Sequence, residues 1–266
     1  MKKIVTLFTL LFTCCLATAY ACSICKITKN GKTIVGNNED WTNPNSQIRF
    51  ESKKQGNFGY MCVGFDDNLI QGAVNEAGLM FDAFAMPYKA SKDTIKKRTV
   101  GDNEAIDTIM KTFSTVRQVR NYLASVDLST LQRTMLVFID KTGQYLRVES
   151  DEMFIENDSI QTFSNFYPSL TVDKTKADLP YYQNGCKILN RYIAKPTFEY
   201  CATVMEGFKQ ETTQYTTIYD LNNAKIRIFQ SHNFSKYLDI DLRKELAKGN
   251  QTISMKKLFA KRMKTK

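Results

Sequence analysis

The chain has 266 residues, 43% of them hydrophobic, and a formal net charge of +10. That length suits one large domain with a real core, and no run past the N-terminus is apolar enough to span a membrane. A single histidine, His232, excludes a zinc site of several imidazoles, the cysteines lack finger or knuckle spacing, and no nucleic-acid motif is present.

Met1-Lys2-Lys3 followed by the apolar run from Ile4 to Phe12 reads as the start of a signal peptide, with Ala19 and Ala21 as the small residues before a cut. Residues 1–21 are therefore expected to be removed and 22–266 exported to the periplasm or cell exterior. Residues 22 to 87 read as strands, beginning with a hairpin about Asn30-Gly31. Helical spacing follows between Asn103 and Val126, with Ser114 placed to cap the second of two helices. Hairpins return in 134–150 and 213–230, a strand is expected at 160–166, and 180–209 reads as two helices broken near Pro196. Asp241 to Lys248 predicts a closing helix. The last residues, about 250–266, are strongly basic and read as a solvated tail. Segregated runs of strands and helices predict an α+β domain with antiparallel sheets.

Cys22 stands at the expected cut, and three roles fit it. As a lipid anchor it is poorly preceded, because Tyr20 is bulky. As half of Cys22-Ser23-Ile24-Cys25 it could be redox-active, but no helix follows to lower a thiol pKa. As a new N-terminus it would carry an α-amine of pKa ~7.7–8.0 beside its own thiol, a nucleophile and base on one residue.

The segment "CSICKITKNGKTIVGNNEDW" resembles the start of the choloylglycine hydrolase and penicillin V acylase family, linear-amide hydrolases of the N-terminal-nucleophile superfamily. "VNEAGLMFDAFAMP", "SNFYPS" and "YTTIYDLNNAKIRIFQSHNF" are similar to later blocks of that family, in the same order. The resemblance implies a four-layer αββα sandwich of two antiparallel sheets flanked by helices. It implies hydrolysis of an N-acyl substrate (an N-acyl amino acid or amine, a conjugated bile acid, or a penicillin V type) through an acyl-thioester on Cys22. No metal or organic cofactor is implied.

Carried over residue by residue, the catalytic set is Cys22 as nucleophile, Asp40 holding the α-ammonium or thiol, and Asn165 with the backbone N–H of Ala85 as oxyanion donors. Asn37, Trp41 and Gln214 fall at substrate-side positions. Asn37 and Gln214 stand where the family usually has arginines, so the cations that tune its thiol are missing; Arg49, Arg133 or Arg147 are the available substitutes. Asn75 is assigned either to the site or to the turn before Gly78, and His232 to an exposed turn. The alternative from another class is a non-enzymatic lipoprotein or binding module of the same fold, anchored at Cys22. The expected partner is a small-molecule amide, and homo-oligomerisation is left open.

Overall fold

The computed structural model describes residues 22–92, 97–171, 173, 177–191 and 194–263. The expected signal peptide and the last three residues lie outside them. Two antiparallel sheets stack face to face.

The six-stranded sheet starts with β1 (Ser23–Lys29) and β2 (Lys32–Asp40). Asn30 and Gly31 between them have φ of 53° and 73°, the left-handed pair that a two-residue turn requires and that Asn-Gly adopts at little cost. The sheet is completed by β10 (Ile160–Phe163), β11 (Thr213–Asp220), β12 (Lys225–Gln230) and β13 (Tyr237–Asp241), in the order β10-β1-β2-β11-β12-β13.

The eight-stranded sheet runs β14-β3-β4-β5-β6-β7-β8-β9. Its strands are β3 (Gln47–Glu51), β4 (Tyr60–Gly64), β5 (Gly72–Asn75), β6 (Leu79–Ala85), β7 (Thr134–Asp140), β8 (Tyr145–Glu149), β9 (Glu152–Glu156) and β14 (Gln251–Ser254). All pairings in both sheets are antiparallel, and β6 continues into β7 only after the first helices.

Helices α1 (Asp102–Thr112) and α2 (Val116–Leu123) cover the outer face of the eight-stranded sheet, packing Ile109, Met110 and Val119 on Phe81 and Phe138. Helices α3 (Pro180–Arg191) and α4 (Phe198–Phe208) cover the outer face of the other sheet, where Val204 and Met205 meet Ile27 and Ile34. The result is the expected four-layer αββα sandwich. Its middle layer holds the largest apolar core, including Ile24, Val35, Met80, Phe84 and Tyr215.

Because β2 is sandwiched by the facing sheet and by α4, both its faces are buried, and it shows little of the polar–apolar alternation of a half-exposed strand. At Gly36 the approach of α4 is so close that a Cβ would stand 2.5 Å from Met205 Cγ and 2.7 Å from Cys201 Sγ. Glycine is required there for contact, not for backbone freedom.

Three local expectations are corrected. Thr115, not Ser114, caps α2, in a reciprocal capping box with Gln118. The closing helix α5 (Leu242–Leu246) is short, capped by Asp241, and is not the last element. The basic tail is not loose over 251–263: β14 pairs with β3, and α6 (Met255–Met263) buries Met255 and Phe259 under the middle layer. Lys256, Lys257 and Lys261 are exposed on the other side of this segment, and the charge of the tail masked its apolar anchors in the composition.

Candidate active site

Cys22 immediately precedes β1, and its side chain turns into the space between the sheets. The β1–β2 register sets Ser23 opposite Asn38, so one step outward sets Cys22 against Glu39. The β1–β10 register sets Ile24 opposite Phe163, so two steps outward set Cys22 against Asn165. The thiol donates to Glu39 Oε1 at 3.5 Å. The Cys22 carbonyl accepts from Ser164 Oγ at 2.9 Å, and Ser164 pairs in turn with Tyr181 OH at 2.6 Å.

Three carboxyl groups act on this thiol. Burial pushes its pKa well up, and the charges of Glu39, Asp40 and Asp82 push the same way, opposed by the backbone N–H of Asp40. Burial also raises Glu39, with the charge of Asp40 adding and the thiol hydrogen bond opposing. Asp82, on β6 of the facing sheet, is raised by burial and by Glu39. Asp40 is raised to about 6 by burial, against hydrogen bonds from Thr213 Oγ1 at 2.5 Å and Gln210 Nε2 at 2.9 Å. Glu39 and Asp40 are consecutive on a strand, so they face opposite sides of the sheet. Glu39 looks toward the thiol; Asp40 looks toward the α4 layer and reaches Cys22 through its backbone.

No family model matches this sequence, and no curated protein matches it. Solved structures do. Penicillin V acylase from Agrobacterium tumefaciens superposes with a TM-score of 0.62 at 13% identity, over 84% of this chain and 88% of that one. A variant of conjugated bile acid hydrolase from Clostridium perfringens gives 0.62 at 17%, over 88% and 96%. The Caenorhabditis elegans ortholog of N-acylethanolamine-hydrolyzing acid amidase gives 0.57 at 13%, over 75% and 92%. The chain has the N-terminal-nucleophile hydrolase fold. At these identities the likeness is one of architecture, and it spans most of each protein compared.

Within this hydrolase fold the other expected residues fall as follows. Asn165 Nδ2 donates to the Ala85 carbonyl at 2.7 Å, joining the end of β6 to the end of β10 across the mouth between the sheets. Asn165 Oδ1 is buried without a partner. Asn37 is fully buried beside Glu39, deeper between the sheets, and neither polar atom of its side chain makes a hydrogen bond of normal geometry. It therefore sits below the mouth and not at its rim. Trp41 is at the rim, 43% exposed, and its carbonyl accepts from Gln214 Nε2 at 2.7 Å. Gln214 also donates to the Thr212 carbonyl at 3.2 Å, so its amide nitrogen serves the backbone.

The candidate substitute arginines are engaged elsewhere. Arg49 donates to Cys62 Sγ and the Asn68 carbonyl, Arg147 pairs with Glu149 and Glu156, and Arg133 lies over the Tyr88 ring. Asn75 is structural: its amide donates to the Met110 and Phe113 carbonyls, while its oxygen accepts from Ala77 and Leu79 N–H around Gly78. His232 is exposed in the loop after β12. Cys25, three residues beyond Cys22 on an extended strand, faces the opposite side, toward Cys201 of α4. A Cys22–Cys25 disulfide does not fit that parity, and both are free thiols.

Glu39, Asp82, Ser164 and Tyr181 were not singled out from the sequence. Glu39 could have been. The two-residue turn at Asn30-Gly31 fixes the pairing, and counting outward from it brings Cys22 to Glu39 and not Asp40.

Proposed function

We propose that this chain hydrolyses a linear carbon–nitrogen amide bond of an N-acyl substrate, through an acyl-thioester on Cys22 made N-terminal by removal of residues 1–21. The observation that carries the reading is the place of the Cys22 thiol: at the head of β1, between the sheets of an N-terminal-nucleophile hydrolase fold, with Asn165 and Ala85 joined beside it. The thiol attacks the carbonyl carbon. The second N–H of Asn165 and the backbone N–H of Ala85 receive the oxyanion, and the α-amine of Cys22 supplies the proton that the leaving nitrogen needs. The proteins that share the fold are named for penicillin V, conjugated bile acids and N-acylethanolamines, which supports acyl amides as the substrate class. No described helix is long and apolar enough to cross a membrane.

The lipoprotein reading requires the Cys22 thiol to leave its place between the sheets for a lipid thioether. Intact mass separates the two. The hydrolase shows an unmodified Cys22 at its N-terminus, and a panel of N-acyl amides of differing acyl chain produces a transient acyl mass on the Cys22 peptide that Cys22→Ala abolishes. Diacylglycerol mass on Cys22, or full turnover in Cys22→Ala, contradicts the proposal.

A further inference from the structure

Glu39 touches the thiol, yet the reaction outlined above gives it no part. Its Oε1 accepts the thiol hydrogen, its Oε2 makes no hydrogen bond of normal geometry, and the Asn37 amide beside it favours the carboxylate. The titratable groups that act on it or on its pocket are Cys22 from β1, Asp82 from β6, Tyr215 and Tyr219 from β11, and the adjacent Asp40. Both Asp82 oxygens and the hydroxyls of Tyr215 and Tyr219 are also buried without a hydrogen bond of normal geometry. Among the described residues no lysine or arginine is paired with Glu39 or Asp82. A buried carboxylate with no counter-ion is costly, typically by several kcal/mol. These acids hold their protons unless a positive charge is placed beside them. Cleavage before Cys22 would create one, an α-ammonium on the residue that carries the thiol.

We propose that Glu39 carries the thiol proton through the reaction cycle, with the α-ammonium of Cys22 as its counter-charge. This rests on Cys22 being the nucleophile. As Sγ bonds to the substrate carbonyl carbon, the S–H proton passes to the Glu39 carboxylate and the C=O π pair moves onto oxygen. The oxyanion pair then re-forms C=O, the C–N bond breaks, and the α-ammonium gives its proton to the leaving nitrogen. Water next attacks the thioester. The α-amine takes one water proton, the C–S bond breaks, and sulfur recovers its proton from Glu39. One amide and one water become one acid and one amine, and thiol, carboxylate and ammonium are restored. Burial raises both the thiol and the Glu39 carboxyl, and a raised carboxyl is a stronger base than an exposed one. The α-ammonium also supplies the positive charge that Asn37 and Gln214 do not.

The test uses the processed protein beginning at Cys22, with Glu39→Gln and Glu39→Asp. Alkylation of Cys22 by iodoacetamide is followed by peptide mass spectrometry from about pH 5 to about pH 9, a range spanning the α-amine and raised carboxyls. Steady-state turnover is measured on the best amide of the panel. Glu39→Gln is expected to lower kcat by about 10²–10⁴ with KM little changed and to remove an inflection from the alkylation profile; Glu39→Asp recovers part of both. A Glu39→Gln protein with an unchanged profile and kcat within about twofold of wild type overturns the proposal, since proton transfer of this kind is worth far more. If circular dichroism shows Glu39→Gln unfolded, Asp82→Asn takes its place. Removing the facing charge is expected to move the inflection to lower pH, and an unmoved inflection overturns the proposal. Absence of any acyl mass on wild-type Cys22 contradicts the hydrolase reading instead, while the alkylation profile still reports the Glu39–thiol link.

Discussion

Glu39 and Asp40 differ by one position and by everything that surrounds them. Glu39 meets the thiol with no lysine or arginine paired to it among the described residues, whereas Asp40 is held from behind by Thr213 and Gln210. Asp40 thus fixes the end of β2 and presents its backbone N–H to Cys22, the one contact that favours the thiolate. Asn165 works on the other side of the thiol. One of its N–H groups is spent on Ala85, which locks the amide in place and leaves the second free to donate. Removing an oxyanion donor typically costs on the order of 10²–10³ in rate. Asn165→Ala is expected to lose that much in kcat while its melting temperature changes little. A large fall in melting temperature with normal specific activity in the folded fraction would show Asn165 to be a strand-end clasp only.

At the scale of elements, the β1–β2 hairpin was legible because Asn30-Gly31 fixes both turn type and register. The same register sets Glu39, and not Asp40, beside Cys22. The two helix pairs were legible from spacing, since α1, α2, α3 and α4 each lay one apolar face on a sheet. The strands β9, β13 and β14 were not. They are short or edge strands with mixed patterning, and their pairing is decided by partners distant in sequence. The C-terminus shows the cost most clearly, because β14 pairs with β3 some two hundred positions away. Met255 and Phe259 are buried there, and each such side chain is worth about 1.5–3 kcal/mol. A chain ending at Asn250 is therefore expected to melt at a clearly lower temperature in a circular-dichroism scan. An unchanged melting temperature would show the segment to be an ornament.

Across the whole molecule, two sheets and two helix layers bury Glu39, Asp40 and Asp82. A carboxyl whose folded pKa is raised binds its proton more tightly when folded, so stability is lost as pH rises from its unfolded pKa through the folded one. Glu39, Asp40 and Asp82 all shift in that direction, and Asp40, raised to about 6, loses its part between about pH 4 and about pH 6. Asp82→Asn is expected to raise the melting temperature at about pH 8 and to change it much less at about pH 2, where the acid is protonated in both states. An equal change at both pH values would show that Asp82 acts through shape and not charge.

The sandwich architecture followed from the resemblance and is matched by the sheet orders, whereas the charge pattern of the site was not foreseeable from motif positions. It depends on Asp82 approaching from the opposite sheet. The claim that joins these scales is that Cys22 acts as an N-terminal residue. An amide nitrogen has no basic pair near neutrality, and a residue left in front of Cys22 would remove the cation that balances Glu39. The most direct measurement compares kcat on one N-acyl amide for the protein beginning at Cys22 and for the same protein with one uncleaved residue before it, both checked by circular dichroism and N-terminal mass. The account predicts a folded, inactive protein whose turnover returns when that residue is removed by a protease. Equal turnover in the two forms would contradict it.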